Sequence, residues 1–264
     1  TARQPERIEP ALRLRERIEL FLEVCDAVEH AHRNLVIHRD IKPGNVLVTA
    51  DGSPKLLDFG IARVLDDERS GIDATATGAR LLTPRYASPE QVRGEVLTTS
   101  GDVYSLGVVL YELLTGRRAH VVSSRAAKEL EEAICENDPT RPSSVVRQAT
   151  DAGTSTHELA ELRRSDPARL RKLLTGDLDT IVMKALRKTP RERYGSVREF
   201  ADDLRRYLGG KPITARPSTL GYRFRKFVAR NRVTVTAATI VLLAIVGGVA
   251  GVLWQANNTR IERD

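Results

Sequence analysis

His38-Arg39-Asp40-Ile41-Lys42-Pro43-Gly44-Asn45 sets a carboxylate, an ammonium and an amide within six residues, and Asp58-Phe59-Gly60 follows thirteen residues after Asn45. Asp40 can orient a hydroxyl nucleophile, and Lys42 can neutralise phosphate charge. Asn45 and Asp58 can offer hard oxygen ligands to magnesium. These are the groups that phosphoryl transfer needs, because that chemistry rests on positioning and charge stabilisation.

The surrounding elements must bring the two carboxylates together. In residues 11–35, Leu14, Ile18, Phe21, Leu22, Cys25, Val28 and Ala31 recur at a spacing of three to four, which predicts a helix with one buried face, ending near Asn34. Val46-Leu47-Val48 and Lys55-Leu56-Leu57 flank Ala50-Asp51-Gly52-Ser53, so a tight hairpin is expected. Asn45 then starts one strand and Asp58 follows the other, at the same end of the hairpin. From Ile61 to Ala87 the chain is polar, carries Gly71 and Gly78, and reads as a long loop. Asp102 to Gly116 is a strongly apolar helix ended by glycine. Another helix is expected near 126–136. The polar stretch 139–172, with scattered Leu159, Leu162 and Leu170, reads as a surface helical insert. Leu178–Leu186 and Val197–Leu208 are two further amphipathic helices.

Composition narrows the class. The 264 residues are long enough for a sizeable core, and 29% charged with 41% hydrophobic residues is ordinary for a globular protein. Cys25 and Cys135 make no disulfide framework or metal cluster, and Cys25 falls on the apolar face of its helix as a core thiol. Residues 1–20 are charged throughout and give no signal peptide. The net charge of +7 owes much to residues 191–232, ahead of a long apolar segment. Basic residues in that place mark a cytoplasmic flank rather than a nucleic-acid surface. Val233 to Trp254 is twenty-two residues without a charge, enough to cross a hydrocarbon core at about 1.5 Å per residue. Arg223, Arg225, Lys226, Arg230 and Arg232 stand upstream; downstream, Arg260 and Arg263 are balanced by Glu262 and Asp264. A single pass through the plasma (inner) membrane is expected, with the N-terminal part cytoplasmic and the C-terminus outside. Trp254 suits an interfacial anchor, and Gly247 with Gly251 forms a small-residue pair through which two spans can pack.

The ordered loop motifs resemble the catalytic and magnesium loops of eukaryotic-type serine/threonine protein kinases, and the layout is similar to the bacterial membrane-anchored receptor kinases. Lys42, two residues after Asp40, is the serine/threonine-specific form. The resemblance implies a mostly α fold with a small β-hairpin: a kinase-like C-lobe over residues 1–209, a basic juxtamembrane linker at 210–232, a transmembrane helix at 233–254 and an extracytoplasmic stub at 255–264. ATP and Mg2+ are the implied cofactors and proteins with Ser or Thr hydroxyls the implied substrates. A homodimer through the kinase part or the span is a further partner expectation.

By the same resemblance Asp40 orients the substrate hydroxyl, Lys42 contacts the transferred phosphoryl group, and Asn45 and Asp58 hold magnesium. Leu47 matches the position beneath adenine, although a hairpin leucine is equally explained by the core. His38 and Phe59 belong to a stacked structural column. Thr83 shapes the substrate groove. Thr83-Pro84-Arg85-Tyr86-Ala87-Ser88-Pro89-Glu90 resembles the end of the substrate-docking loop, with Ser88 in place of the family's Ala. Asp102 is expected to hold the catalytic-loop backbone, a plain helix cap being the alternative. Arg193, within Pro190-Arg191-Glu192-Arg193-Tyr194, is expected to pair with Glu90, either as a buried anchor or as a surface ion pair. Arg39 beside Asp40 implies control by phosphorylation at Thr75 or Thr77, with Ser70 behind them; solvated loop residues are the alternative reading.

The matched stretch, about 11–209, is the large lobe. No glycine precedes Gly44 and no lysine precedes Lys42, so the phosphate-covering loop and the strand lysine of the small lobe are missing from it. These residues by themselves are expected to bind ATP poorly. The favoured expectation is a kinase whose small lobe lies upstream, extended in one version by an external sensor domain; the alternative is an inactive half-kinase acting as a membrane-tethered scaffold.

Overall fold

In α1 (Leu14–Arg33) the Glu16 carboxylate closes the first turn by accepting the Arg13 N–H at 2.7 Å. Leu14, Ile18, Phe21, Leu22, Cys25, Val28 and Ala31 are all buried, joined by Val24 and Arg17. Burial pushes the Cys25 thiol well above its usual range, which keeps it an inert core group. The computed structural model containing this helix describes residues 12–58, 84–121, 127–146, 167–217 and 219–261.

After α1 the chain turns at Leu35, whose φ is +61°, with the Val36 N–H returning to the Ala31 carbonyl at 3.0 Å. A 3-10 turn over Pro43–Asn45 leads into β1 (Val46–Val48), which pairs antiparallel with β2 (Pro54–Leu56). Val46 faces Leu56, Leu47 faces Lys55 and Val48 faces Pro54, so the second strand begins and ends one residue earlier than the apolar run suggests. Gly52 supplies the turn at φ +87°, donating to the Thr49 carbonyl at 2.9 Å.

Among the described residues, the first unit continues with the helices α2 (Pro89–Arg93), α3 (Thr99–Thr115), α4 (Ala127–Cys135), α5 (Pro142–Val145), α6 (Pro167–Leu174), α7 (Asp177–Ala185) and α8 (Val197–Leu208). The central helix α3 buries Val103, Tyr104, Leu106, Val108, Leu110, Tyr111 and Leu114, and stops at Gly116 in a left-handed conformation. Gly107 lets it approach α7 closely, since a Cβ there would lie 2.9 Å from Ala185 Cβ and 3.1 Å from Leu186 Cδ2. Phe21 of α1 meets Phe200 of α8 edge to face at 5.9 Å.

Two expectations change. Leu170 does not sit on a surface insert: it is 1% exposed and enters the core with Leu174, while Ser143 docks α5 by donating its N–H and hydroxyl to Asp179 at 2.9 and 2.6 Å. Leu159 and Leu162 lie outside the described residues. The stretch read as linker from 210 onward is also partly fastened. Buried Asp203 accepts the Thr214 and Ala215 N–H groups at 2.6 and 2.8 Å, and Ile213 is 2% exposed. The first unit therefore ends at Leu208 but takes back Ile213–Arg216.

The second unit comprises Gly209–Pro212 and the residues from Pro217 onward. It holds α9 (Leu220–Arg230) and α10 (Arg232–Ile261), so much of the expected linker is helical. Within α10, Arg232–Gly251 has a mean hydropathy of 2.3 and is long and apolar enough to cross a membrane.

Candidate active site

The loop between α1 and β1 is fixed from below by Asp102 in the first turn of α3. Its Oδ2 accepts the His38 N–H at 2.8 Å and pairs with His32 Nε2 at 2.7 Å, and its Oδ1 accepts the Arg39 N–H at 2.9 Å. The helix cap is Thr98, which accepts the Ser100 N–H, so capping is not the task of Asp102. Arg39 adopts φ +64°, a left-handed conformation costing about 1–3 kcal/mol for a side chain of this kind. It is held there from both sides, because Gln91 Nε2 donates to the Arg39 carbonyl at 2.6 Å.

His38 is fully buried and links the two loops. Its Nε2 donates to the Leu57 carbonyl at 3.1 Å and its Nδ1 accepts the Asp40 N–H at 3.3 Å. The Leu57 N–H in turn donates to the Asn45 carbonyl at 2.8 Å. Asn45 and Asp58 thus leave the same end of the hairpin, and Asp58 follows Leu57 at φ +51° with its side chain exposed.

Asp40, Lys42 and Asn45 come together in one cluster. Lys42 Nζ lies 2.6 Å from Asp40 Oδ2, both side chains about one-quarter exposed. Asn45 Nδ2 donates to the Asp40 carbonyl at 2.9 Å and to Asp40 Oδ2 at 3.2 Å. With its donors spent on Asp40, Asn45 keeps Oδ1 as a hard oxygen for a cation. Leu47 is 52% exposed, so packing in the core does not explain it.

The docking-loop end is anchored from the far side. Arg193 pairs with Glu90 through two parallel contacts, Nη1–Oε1 at 2.6 Å and Nη2–Oε2 at 2.7 Å, with side chains 0% and 3% exposed. It also donates to the carbonyls of Arg187, Ser100 and Lys188 at 2.7, 2.9 and 2.9 Å. This is a buried anchor and not a surface ion pair. Burial opposes ionisation of Glu90, but the hydrogen bonds and charge of Arg193 outweigh it and hold the carboxyl below the usual range. Nearby, Tyr86 donates its hydroxyl to Glu112 at 2.5 Å, and Ser105 donates to the Tyr86 carbonyl at 2.7 Å. Phe59, Ser70, Thr75, Thr77 and Thr83 lie outside the described residues.

Two contributors were not anticipated. Gln91 joins the docking-loop end to Arg39, and Ser88 followed three residues later by Gln91 is a capping-box pattern that could have revealed it: the Ser88 N–H donates to Gln91 Oε1 at 3.0 Å. His32 meets Asp102 across seventy residues of sequence, and no local signal marks it.

Behind the anchor, Arg193 lies over the Tyr104 ring at 4.9 Å, and the Tyr104 hydroxyl bonds His120 Nε2 at 2.7 Å. Burial, aided by the Lys188 charge and opposed by a hydrogen bond to the Ala133 backbone, lowers the His120 pKa to about 4. An unfolded histidine binds its proton near 6.5, so the unfolded state takes up more protons as pH falls. This contribution is complete above about pH 6.5 and is lost on the way down to about 4; its size is on the order of 3 kcal/mol. Thermal melts of the full-length protein should show His120→Gln losing less stability than wild type between those two pH values; parallel curves would refute the assignment.

Sequence comparison agrees with this geometry. Residues 6–203 match the family model described as protein kinase domain. The chain is 37% identical over 198 residues to the serine/threonine-protein kinase PknB of Mycobacterium tuberculosis, covering 75% of this chain and 27% of that protein. It is 37% identical over 198 residues to a probable serine/threonine-protein kinase of Streptomyces coelicolor, covering 75% and 25%. It is 35% identical over 216 residues to a probable serine/threonine-protein kinase PknB of Bifidobacterium longum, covering 81% and 27%. The chain spans about a quarter of the length of these curated relatives. A match of this extent, with a loop built around Asp40, Lys42 and Asn45, means that the chain belongs to the serine/threonine protein kinase family.

Proposed function

We propose that the chain is the large lobe of a membrane-anchored serine/threonine protein kinase that transfers the γ-phosphate of ATP to protein hydroxyls. The observation that carries this reading is the cluster of Asp40, Lys42 and Asn45, held by Asp102 and tied through His38 to the residue before Asp58. Asp40 orients the substrate hydroxyl and accepts its proton. Lys42, already 2.6 Å from Asp40, places its charge beside the group in transit. Asn45 Oδ1 and the Asp58 carboxylate would hold magnesium. Bound magnesium with ATP supplies the transferable phosphoryl group and offsets its charge. Half-exposed Leu47 would pack beneath the adenine ring. His38 and Phe59 support the site, Thr83 shapes the groove, and phosphorylation at Thr75 or Thr77 would engage Arg39.

Residues 233–254 would cross the inner membrane once. The basic residues 223–232 favour a cytoplasmic kinase part and an external C-terminus. A homodimer would form through the kinase part or the span; the span version fits Gly247 and Gly251, where among the described residues an added Cβ would meet nothing within 4 Å.

The test is phosphotransfer by the full-length natural protein, using γ-labelled ATP, magnesium and a general acceptor protein. Label in phosphoserine and phosphothreonine, abolished by chelation, is the expected result. No transfer would overturn the reading in favour of a scaffold, and label in phosphotyrosine would overturn the substrate class.

A further inference from the structure

The residues ahead of the apolar helix form a second amphipathic element. Leu220, Phe224 and Phe227 stand at i, i+4 and i+7 of α9, on one helical face, and are 83%, 68% and 50% exposed. Tyr222, on the opposite side, is buried. Arg223, Arg225, Lys226 and Arg230 flank the apolar stripe, and no acidic residue occurs from Leu220 to Arg232. Three large exposed apolar side chains, with cations and no carboxylate on their helix, suit a surface that is apolar within and anionic at its rim.

Position selects among such surfaces. Asn231 alone separates α9 from α10, and its N–H and Nδ2 both donate to the Phe227 carbonyl, at 2.9 and 3.0 Å, which caps α9. Where α10 enters the bilayer, the C-terminal end of α9 must lie at the headgroup layer.

We propose that α9 is an interfacial helix, lying on the anionic lipid headgroups of the leaflet that α10 enters, with Leu220, Phe224 and Phe227 in the headgroup–acyl boundary and its arginines on lipid phosphates. The inference rests on the membrane-spanning reading of α10. Helices of this type sit about 5–10 Å into the boundary and are held jointly by apolar burial and by attraction to acidic lipid. Such seating would fix how the protein leaves the membrane, a role that a flexible basic linker cannot fill.

The test uses the full-length protein in vesicles of phosphatidylcholine and phosphatidylglycerol containing chain-brominated lipid. In a Trp254→Phe background, which removes the single Trp of this stretch, Phe224→Trp places an indole on the stripe; any tryptophans elsewhere in the full protein are replaced likewise. Its emission is expected to shift to the blue and be quenched by the brominated lipid, and to lose both effects in pure phosphatidylcholine and when Arg223→Glu and Arg225→Glu are added. The control restores Trp254 as the sole indole, to report the span. Quenching of Trp254 with a water-like, unquenched indole at position 224 overturns the interfacial helix while the span stands. Absence of quenching at both positions overturns both. Equal quenching in neutral vesicles overturns the requirement for anionic lipid.

Discussion

Asp40→Asn is expected to lower kcat of the full-length kinase by about 10²–10⁴-fold, the range that general-base catalysis contributes. The substitution keeps the shape of the side chain and removes its charge. One oxygen becomes an NH2 group that cannot accept from Lys42, whose ammonium now sits 2.6 Å from Asp40 Oδ2. The backbone carbonyl of residue 40 still accepts from Asn45, and Asp102 still holds His38 and Arg39. The loop should keep its path. Because the side chain is about one-quarter exposed and buried Asn45 keeps its bond to the carbonyl of residue 40, the melting temperature should hardly move. The KM for ATP should stay within a few-fold, since Asn45, Asp58 and Leu47 are untouched. A variant that keeps more than about a tenth of wild-type kcat would remove Asp40 from the general-base role.

The sequence carried what is local or chemically singular. The stripe from Leu14 to Ala31 and the helix Val197–Leu208 are strongly periodic, and the structure has both. Asp40, Lys42 and Asn45 stood out as candidates because few residue types suit phosphoryl transfer at that spacing, and the structure brings the three together. What was hidden depends on tertiary partners. Leu170 sits among charges and reads as surface, yet docking against neighbouring helices takes it into the core. Residues 213–216 have the prolines and glycines of a linker around them, but a buried carboxylate at Asp203 captures their N–H groups. His32 reaches Asp102 only once α1 and α3 have packed. The helix α9 is a different case. Its charges drew the reading toward a basic flank, while the spacing of Leu220, Phe224 and Phe227 was there to be counted.

Removal of Arg193 should cost more stability than any single change considered above. Arg193→Met would leave the Glu90 carboxylate, 3% exposed, without its two hydrogen bonds, and would strip donors from the carbonyls of Ser100, Arg187 and Lys188. Breaking a buried pair on one side costs about 3–5 kcal/mol, a large share of the 5–15 kcal/mol that holds a typical domain together. Urea denaturation of the full-length protein should show the loss. Adding Glu90→Leu to Arg193→Met should restore part of it, because an apolar pair no longer buries an unmatched charge. The carbonyls would still lack their donors, so recovery should be incomplete. Acid should act through the same pair. The folded pKa of Glu90 lies below its unfolded value, so its contribution is full above the usual carboxylate range and is lost as pH falls through the folded value. That loss sets in only toward the acid end of the window assigned to His120, so acid should weaken the protein first through His120 and then increasingly through Glu90. Activity should fall as well, since Glu90 adjoins Gln91, whose amide holds the Arg39 carbonyl and with it the left-handed turn before Asp40. An Arg193→Met protein with wild-type stability would mean that the pair is as dispensable as a surface ion pair.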